Sequence, residues 1–351
     1  HNNKHALIGS GKLFSVVSAN VNGAARVRKA GGAAQFAEAM LALRAKHDAT
    51  VLCLQHLDIP EMSSEHLRLK AEFERLGFAF ILRSNTKREA KYLDKQSGRG
   101  VAIICSAAMV LPGSEYPKTS TIKAAEHPDA YGFYVGVILQ MASGASMHVM
   151  SVYAPVSNKS NDKHRPAVNV ATEESILKMR KLHGNIGTAV AADANSVMSL
   201  KLDTLFGNQI RVKHSFIQKM ITQMGFRDTF RECHPYETAF SRSISKLHAS
   251  GVKYEASRID VVLIDDNLIR AFDLVAAIVD HVSDVFSDHS PVVAAFSTVP
   301  GQVVSVNLEG SPEVDPDWAQ FVKDCKQQDI KVDKVTGSSE RAEAMRKKLL
   351  S

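Results

Sequence analysis

The chain has 351 residues, 45% of them hydrophobic and 23% charged, with a formal net charge of +6. That balance is ordinary for a globular domain, and the length allows one large domain or two ordinary ones. No 18-residue apolar run occurs, so no membrane-spanning helix is expected, and four scattered cysteines exclude a dense disulfide scaffold.

A nuclear or cytoplasmic, reducing compartment is expected on these grounds. The chain opens on His1 rather than Met and so reads as a fragment. Residues 301–351 carry eight Lys/Arg against nine Asp/Glu, or −1, which leaves +7 for residues 1–300. A basic main body suits a polyanionic partner, although a solvated basic surface has the same composition.

Residues 1–12 read as an N-terminal extension. Gly9-Ser10-Gly11-Lys12 has the look of a phosphate loop, but Leu13 stands where that loop needs Ser or Thr, and no strand precedes it. Residues 13–18 form a short apolar run that predicts a strand, ending in Asn20-Val21-Asn22-Gly23. Phe36, Met40, Leu41 and Leu43 have near-helical spacing and predict a helix over 35–46. Val51-Leu52-Cys53-Leu54 reads as a strand buried on both faces. Cys53-x-x-His56 has a metal-pair spacing, but positions three apart on a strand face opposite sides.

A second helix is predicted over 64–76, stopped by Gly77, and a strand over 78–82. Residues 84–98 make a polar, basic loop. With Arg99, its Arg88, Lys91 and Lys95 are candidate contacts to a nucleic-acid backbone, or simply a solvated loop. Strands are expected over 100–105, over 131–141 and 147–153 as an antiparallel pair, and over 188–192, 258–264 and 291–296. Helices are expected over 173–182 and 216–224, and a polar loop over 157–166. Strand–helix alternation mixed with hairpins predicts a layered α/β protein with mixed sheets. After Pro300 the pattern breaks, and residues 300–351 read as a linker with two short helices, 317–328 and 338–350.

Polar clusters sit at the ends of these strands. Asp193 and Asn195 are two apart, so extended backbone would point both the same way: a carboxylate to position water and an amide to orient it. The pair also reads as an Asx-turn or helix cap. Asn20 and Asn22 repeat the spacing. Tyr153 ends one strand and Asp260 opens another, where an acid could orient a histidine. Asp288-His289 precedes the final strand.

Taken in order, these stretches resemble the endonuclease/exonuclease/phosphatase superfamily. Within it they most resemble the apurinic-type endonuclease domains of LINE-type (non-LTR) retrotransposons. The resemblance rests on Ser18-Ala19-Asn20-Val21-Asn22-Gly23, Val51-Leu52-Cys53-Leu54-Gln55, Gly100-Val101-Ala102-Ile103-Ile104, Ser151-Val152-Tyr153-Ala154-Pro155 and Asp193-Ala194-Asn195. It continues through Phe226-Arg227-Asp228-Thr229-Phe230-Arg231-Glu232-Cys233-His234-Pro235, Ser257-Arg258-Ile259-Asp260 and Ser287-Asp288-His289-Ser290-Pro291, and spans about residues 13–297.

The resemblance implies a DNase I-like four-layer α/β sandwich over 13–299, with two mixed β-sheets face to face and helices outside. It implies metal-dependent cleavage of phosphodiesters with Mg²⁺ or Mn²⁺, acting on DNA, with RNA as the open alternative. Carried over by position, Asp193 and Asn195 would handle the attacking water. His289, oriented by Asp260, would contact the phosphate, with Tyr153 beside it. Asn20, Asn22 and Asp288 would surround the metal. His56 stands where the family has a glutamate, its principal metal ligand. A softer ion, a carboxylate from Asp58 or Glu61, or a degenerate copy that only binds nucleic acid are the three outcomes this departure leaves open.

Overall fold

A computed structural model describes residues 13–22, 32–84, 100–117, 127–141, 144–156, 164–184, 186–204, 215–248, 251–280 and 287–298. The extension 1–12, the residues from 299 onward, and Arg88, Lys91, Lys95 and Arg99 lie outside them.

The first sheet has six strands. They are β1 (Leu13–Asn20), β2 (Val51–Gln55), β3 (Phe78–Ser84), β4 (Gly100–Ser106), β12 (Asp273–Val279) and β13 (Val292–Ser297), in the order β12-β13-β1-β2-β4-β3. The second has five: β5 (Tyr134–Gln140), β6 (Ser146–Tyr153), β7 (Gly187–Asp193), β8 (Arg227–Asp228) and β11 (Asp260–Ile264), in the order β5-β6-β7-β11-β8. Each contains one parallel neighbour pair, β1 with β2 and β6 with β7. Both sheets are therefore mixed, as the pattern of the sequence predicts. A separate hairpin joins β9 (Arg242–His248) to β10 (Gly251–Ser257).

The period of two along a strand explains the layering. On β2, Val51 and Cys53 enter the large core shared with the second sheet. Leu52 and Leu54 point the other way, into a core with Phe36 and Met40 of α1 (Ala33–Lys46) and Leu69 and Phe73 of α2 (Ser64–Arg75). Both faces of β2 are buried, which is why it reads as a continuous apolar run. Ser63 caps α2 by accepting from the His66 N–H. On the other side, α3 (His164–His183) brings Val168, Ala171, Ile176 and Met179 to the core, and α5 (Phe216–Thr222) brings Phe216 and Met220.

Among the described residues between β7 and β11 lie the short helices α4 (Leu200–Asp203), α5 and α6 (Thr229–Cys233), with α7 (Asp266–Ala271) after β11. The helix expected over 173–182 starts at His164, so the loop expected over 157–166 gives up its last three residues. Pro166 reads as a breaker, yet it falls in the first turn, where its missing N–H has no intrahelical partner to lose.

Gln55, fully buried, fastens the two sheets together below the strand ends. Its amide donates to Ser151 Oγ at 3.2 Å and to the Ala191 carbonyl at 3.4 Å, and its oxygen accepts from Ser18 Oγ at 3.3 Å. Gly100 serves the same region by close approach. A Cβ there would lie 2.2 Å from the Leu57 carbonyl oxygen, the backbone group that follows His56. Gly100→Ala is expected to displace the 56–59 turn and lower stability by about 1–3 kcal/mol, read from the urea midpoint.

Candidate active site

Register gathers the polar strand ends. Tyr153 on β6 is paired across the ladder with Asp193 on β7, and Asp193 with Asp260 on β11. Paired residues share a face, so these three stand in a row at one rim of the second sheet. The facing rim of the first sheet supplies Asn20, paired with Gln55 on β2, so His56 follows immediately. His289 sits on the turn before β13, where it forms an isolated bridge with Arg242 at the foot of the hairpin. Asn20, Tyr153, Asp193, Asn195, Asp260, Asp288 and His289 thus come to one place, with His56 next to Tyr153.

Asp193 is buried, with both oxygens engaged. Asn20 Nδ2 donates to Oδ2 at 2.7 Å, and the Asn195 backbone N–H donates to Oδ1 at 3.0 Å. Asn195 spends its side-chain amide on the Ala154 carbonyl, 2.9 Å away, so its geometry fixes the turn around Asp193. Arg165, buried below, donates to the Asn195 carbonyl at 3.2 Å. The Asn20 oxygen accepts the Asn22 N–H at 2.8 Å.

His289 Nδ1 lies 2.8 Å from Asp260 Oδ2, both groups buried. Asp193, Asp260 and His289 each bring one ligating atom to within 4.8 Å of the others.

Asp288 is held from two sides. Asn22 Nδ2 donates to one oxygen at 2.9 Å and Arg242 Nε to the other at 3.1 Å. Tyr153 is buried between Phe133, with ring centroids 6.2 Å apart, and His56, at 5.4 Å.

Charge is finely balanced here. Burial, and then the negative charge of Asp260, push the Asp193 carboxyl up to about 7; His289, the Asn195 N–H and the Asn20 amide oppose that shift. Burial pulls His289 down, but the charge and hydrogen bond of Asp260, joined by Asp193 and Asp288, raise it to about 9. Near pH 8 Asp193 is therefore a carboxylate and His289 a cation, so a base and an electrophile coexist.

Backbone strain collects in the same place. Asn22, His56 and Asn195 have φ of 53°, 56° and 42°, a left-handed conformation uncommon outside glycine.

The donor set decides which ion suits this corner. Glu61 is withdrawn from it: buried, it accepts from Tyr131 Oη at 2.6 Å and the Ser84 N–H at 3.3 Å, and pairs with Arg83 at 3.4 Å. Asp58 is the carboxylate next to His56, with Oδ2 3.4 Å from His56 Nε2. Its Oδ1 is buried and accepts no hydrogen bond. One imidazole with one carboxylate does not match the oxygen-only octahedral set of Mg²⁺; it matches an ion that accepts nitrogen, such as Mn²⁺. The buried Asp193, Asp260 and His289 do not fit an ion, because Asp260 engages Nδ1 and a protonated Nε2 offers no lone pair.

Two residues here carry no signal in the sequence. Ser241 is a lone serine, and Arg242 one of many surface cations, yet both touch the acid–histidine pair through Asp260 or Asp288. Only the tertiary register brings them in.

No protein-family model matches the chain, and no curated protein matches it. Solved structures do. The 3′ phosphatase NExo from Neisseria, bound to a product DNA hairpin, has a TM-score of 0.56 at 17% identity, covering 81% of this chain and 99% of that one. The AP endonuclease LMAP from Leishmania major also has a TM-score of 0.56, at 15% identity, over 82% of this chain and 89% of that one. The human Nocturnin catalytic domain, with a bound sulfate anion, gives 0.51 at 12% identity, over 81% and 94%. Identities this low show a shared fold.

Proposed function

We propose that this chain, which has the endonuclease/exonuclease/phosphatase fold, is a phosphodiester hydrolase that nicks DNA, of the retrotransposon endonuclease type. One observation carries the reading. A buried carboxylate poised near neutrality, Asp193, faces a buried imidazolium, His289, and both are fixed by neighbouring side chains rather than by solvent.

In this reading Asp193 accepts the proton of the attacking water as its oxygen adds to phosphorus, and the ester bond opposite breaks, its oxygen leaving as a sugar hydroxyl that takes its proton from solvent. Asn20 and the Asn195 N–H hold the carboxylate in its attacking orientation. His289 Nε2 donates to a phosphate oxygen and offsets the charge that builds there. Asp260 keeps the proton on Nδ1 and so keeps Nε2 aimed outward. Tyr153 stands beside His56 and in register with Asp193. His56 and Asp58 are the residues that would hold a divalent ion, which supplies charge neutralisation to the phosphate when bound. The +7 balance of residues 1–300 supports a polyanionic substrate.

The test is nicking of supercoiled plasmid in Mg²⁺ or Mn²⁺. Relaxed circles that depend on Asp193 support the reading; no cleavage in either ion sinks it. His56 favours a second reading, a copy of the fold that only binds nucleic acid, and one substitution separates the two. Wild type is expected to bind Mn²⁺ more tightly than Mg²⁺ by calorimetry. His56→Glu is expected to raise Mg²⁺-supported nicking about 10-fold or more, since a carboxylate restores a hard ligand. Equal binding of the two ions by wild type would remove His56 from the metal site.

A further inference from the structure

Ser241 is fully buried, and all of its hydrogen-bonding capacity is accounted for. Its Oγ accepts the Ile259 N–H at 3.0 Å and the Asp260 N–H at 2.9 Å. A hydroxyl has two lone pairs and one hydrogen, and both lone pairs are now occupied. The hydrogen has one place left to go, Asp260 Oδ2, 2.7 Å away. That same oxygen receives His289 Nδ1 at 2.8 Å, while the other oxygen of Asp260 is buried without a partner.

The orientation of the Asp260 carboxylate therefore hangs on a single atom held by two donors. One of them is the histidine that the carboxylate is meant to orient. Among the described residues, nothing but Ser241 fixes the angle of that carboxylate independently of His289. The serine is tied to the histidine by its main chain as well: its carbonyl accepts the Ser290 N–H at 2.6 Å, and its neighbour Arg242 bridges to His289.

We propose that Ser241 is a positioning residue, the outer member of a Ser241–Asp260–His289 relay that fixes which nitrogen of His289 carries its proton and where Nε2 points. Since Oδ2 accepts from the serine, a proton on that oxygen would meet the hydroxyl hydrogen head-on. Oδ2 thus stays an acceptor, and His289 is held with hydrogen on Nδ1. The inference deepens the hydrolase reading, because its consequence is an Nε2 held on the side of Asp288, 4.0 Å from its Oδ1, where it would meet a substrate phosphate. The charged groups that face His289 are Asp260 from β11, Asp193 from β7, and Asp288 of its own turn, which Arg242 partly neutralises from β9. None of these is altered by a change at Ser241.

The experiment is NMR of the intact chain labelled with ¹⁵N-histidine, with the His289 signals assigned by their loss in His289→Gln. In wild type the Nδ1–H proton is expected far downfield and protected from exchange, with a titration well above the ordinary imidazole value. In Ser241→Ala the carboxylate is free to turn. The downfield signal is expected to broaden or vanish, and the titration to fall toward the ordinary value of about 6.5. Ser241→Thr, which keeps the hydroxyl, restores both. Nicking by Ser241→Ala is expected to drop about 10–100-fold in kcat with little change in KM, the scale at which removal of a group that orients a site histidine is felt.

If Ser241→Ala does not fold, Ser241→Cys fills the same space with a weak donor and is read the same way. A titration that stays put or rises, with the downfield proton intact, overturns the proposal and leaves Ser241 as packing alone. The NMR readout needs no activity, so a chain that shows these shifts but cuts nothing would sink the hydrolase reading and leave the relay standing.

Discussion

Asp193→Asn is expected to reduce plasmid nicking by about 10²–10⁴-fold, the range for loss of a positioned general base. The asparagine keeps the volume and one oxygen acceptor, so the Asn20 and Asn195 contacts survive in part and the fold remains. What is lost is the negative charge that accepts the proton of water. The pH profile carries the sharper signature. Activity needs Asp193 ionised, so it rises as pH passes about 7. It also needs His289 protonated, so it falls as pH passes about 9. A bell with its maximum between these values is expected. The two limbs belong to the interacting pair rather than to either residue alone. A flat profile from pH 6 to 10 would remove both groups from the chemistry, provided product release is not limiting.

The largest effect on stability is expected at Arg258. Its guanidinium is fully buried, with Nε 2.9 Å from Asp203 Oδ1 and Nη2 2.6 Å from Asp228 Oδ2, and both carboxylates are buried too. Its backbone N–H donates to the Asp203 carbonyl at 2.8 Å, and its charge lies 5.2 Å from the Phe230 ring centroid. Breaking a buried pair leaves uncompensated charge, so Arg258→Met is expected to cost about 3–5 kcal/mol, read from urea or thermal unfolding. Arg231 also reaches Asp203 and relieves part of the imbalance, while Asp228 loses its only charged partner among the described residues. The effect should extend to activity, because Arg258 lies two residues before Asp260. A cost under about 1 kcal/mol would mean that water reaches the stranded carboxylates.

The sequence showed some of these features clearly and hid others, for identifiable reasons. β2, β4 and β7 are legible because sheets buried on both faces demand unbroken apolar runs. Asp193, Asn195, Asp260 and His289 are legible because each sits where such a run stops. β12 and the hairpin β9–β10 were missed. The first strand of the hairpin, with Ser243, Ser245, Lys246 and His248, reads as a polar loop, and the alternation of Val252, Tyr254 and Ala256 with Lys253 and Glu255 in the second is the signal that was passed over. Arg258 stands two residues before Asp260, yet its guanidinium goes to Asp203 and Asp228, which spacing alone does not reveal. Ser241 could not be found by pattern at all. Its role follows from lone pairs and distances, which only a folded chain possesses.

The pairing of β1 with β13 joins the first described strand to the last, in the interior of the six-stranded sheet. His289 lies just before β13, which is synthesised after every other described strand. A ribosome-bound chain that has made β1 to β12 would hold Asn20, Asp193 and Asp260 but not His289, and β1 would have one side unpaired. Such long-range closure is slow, and it couples completion of the sheet to completion of the chemistry. Nascent chains should therefore lack the Asp260–His289 pair until β13 docks, so the candidate site is complete only when the sheet is.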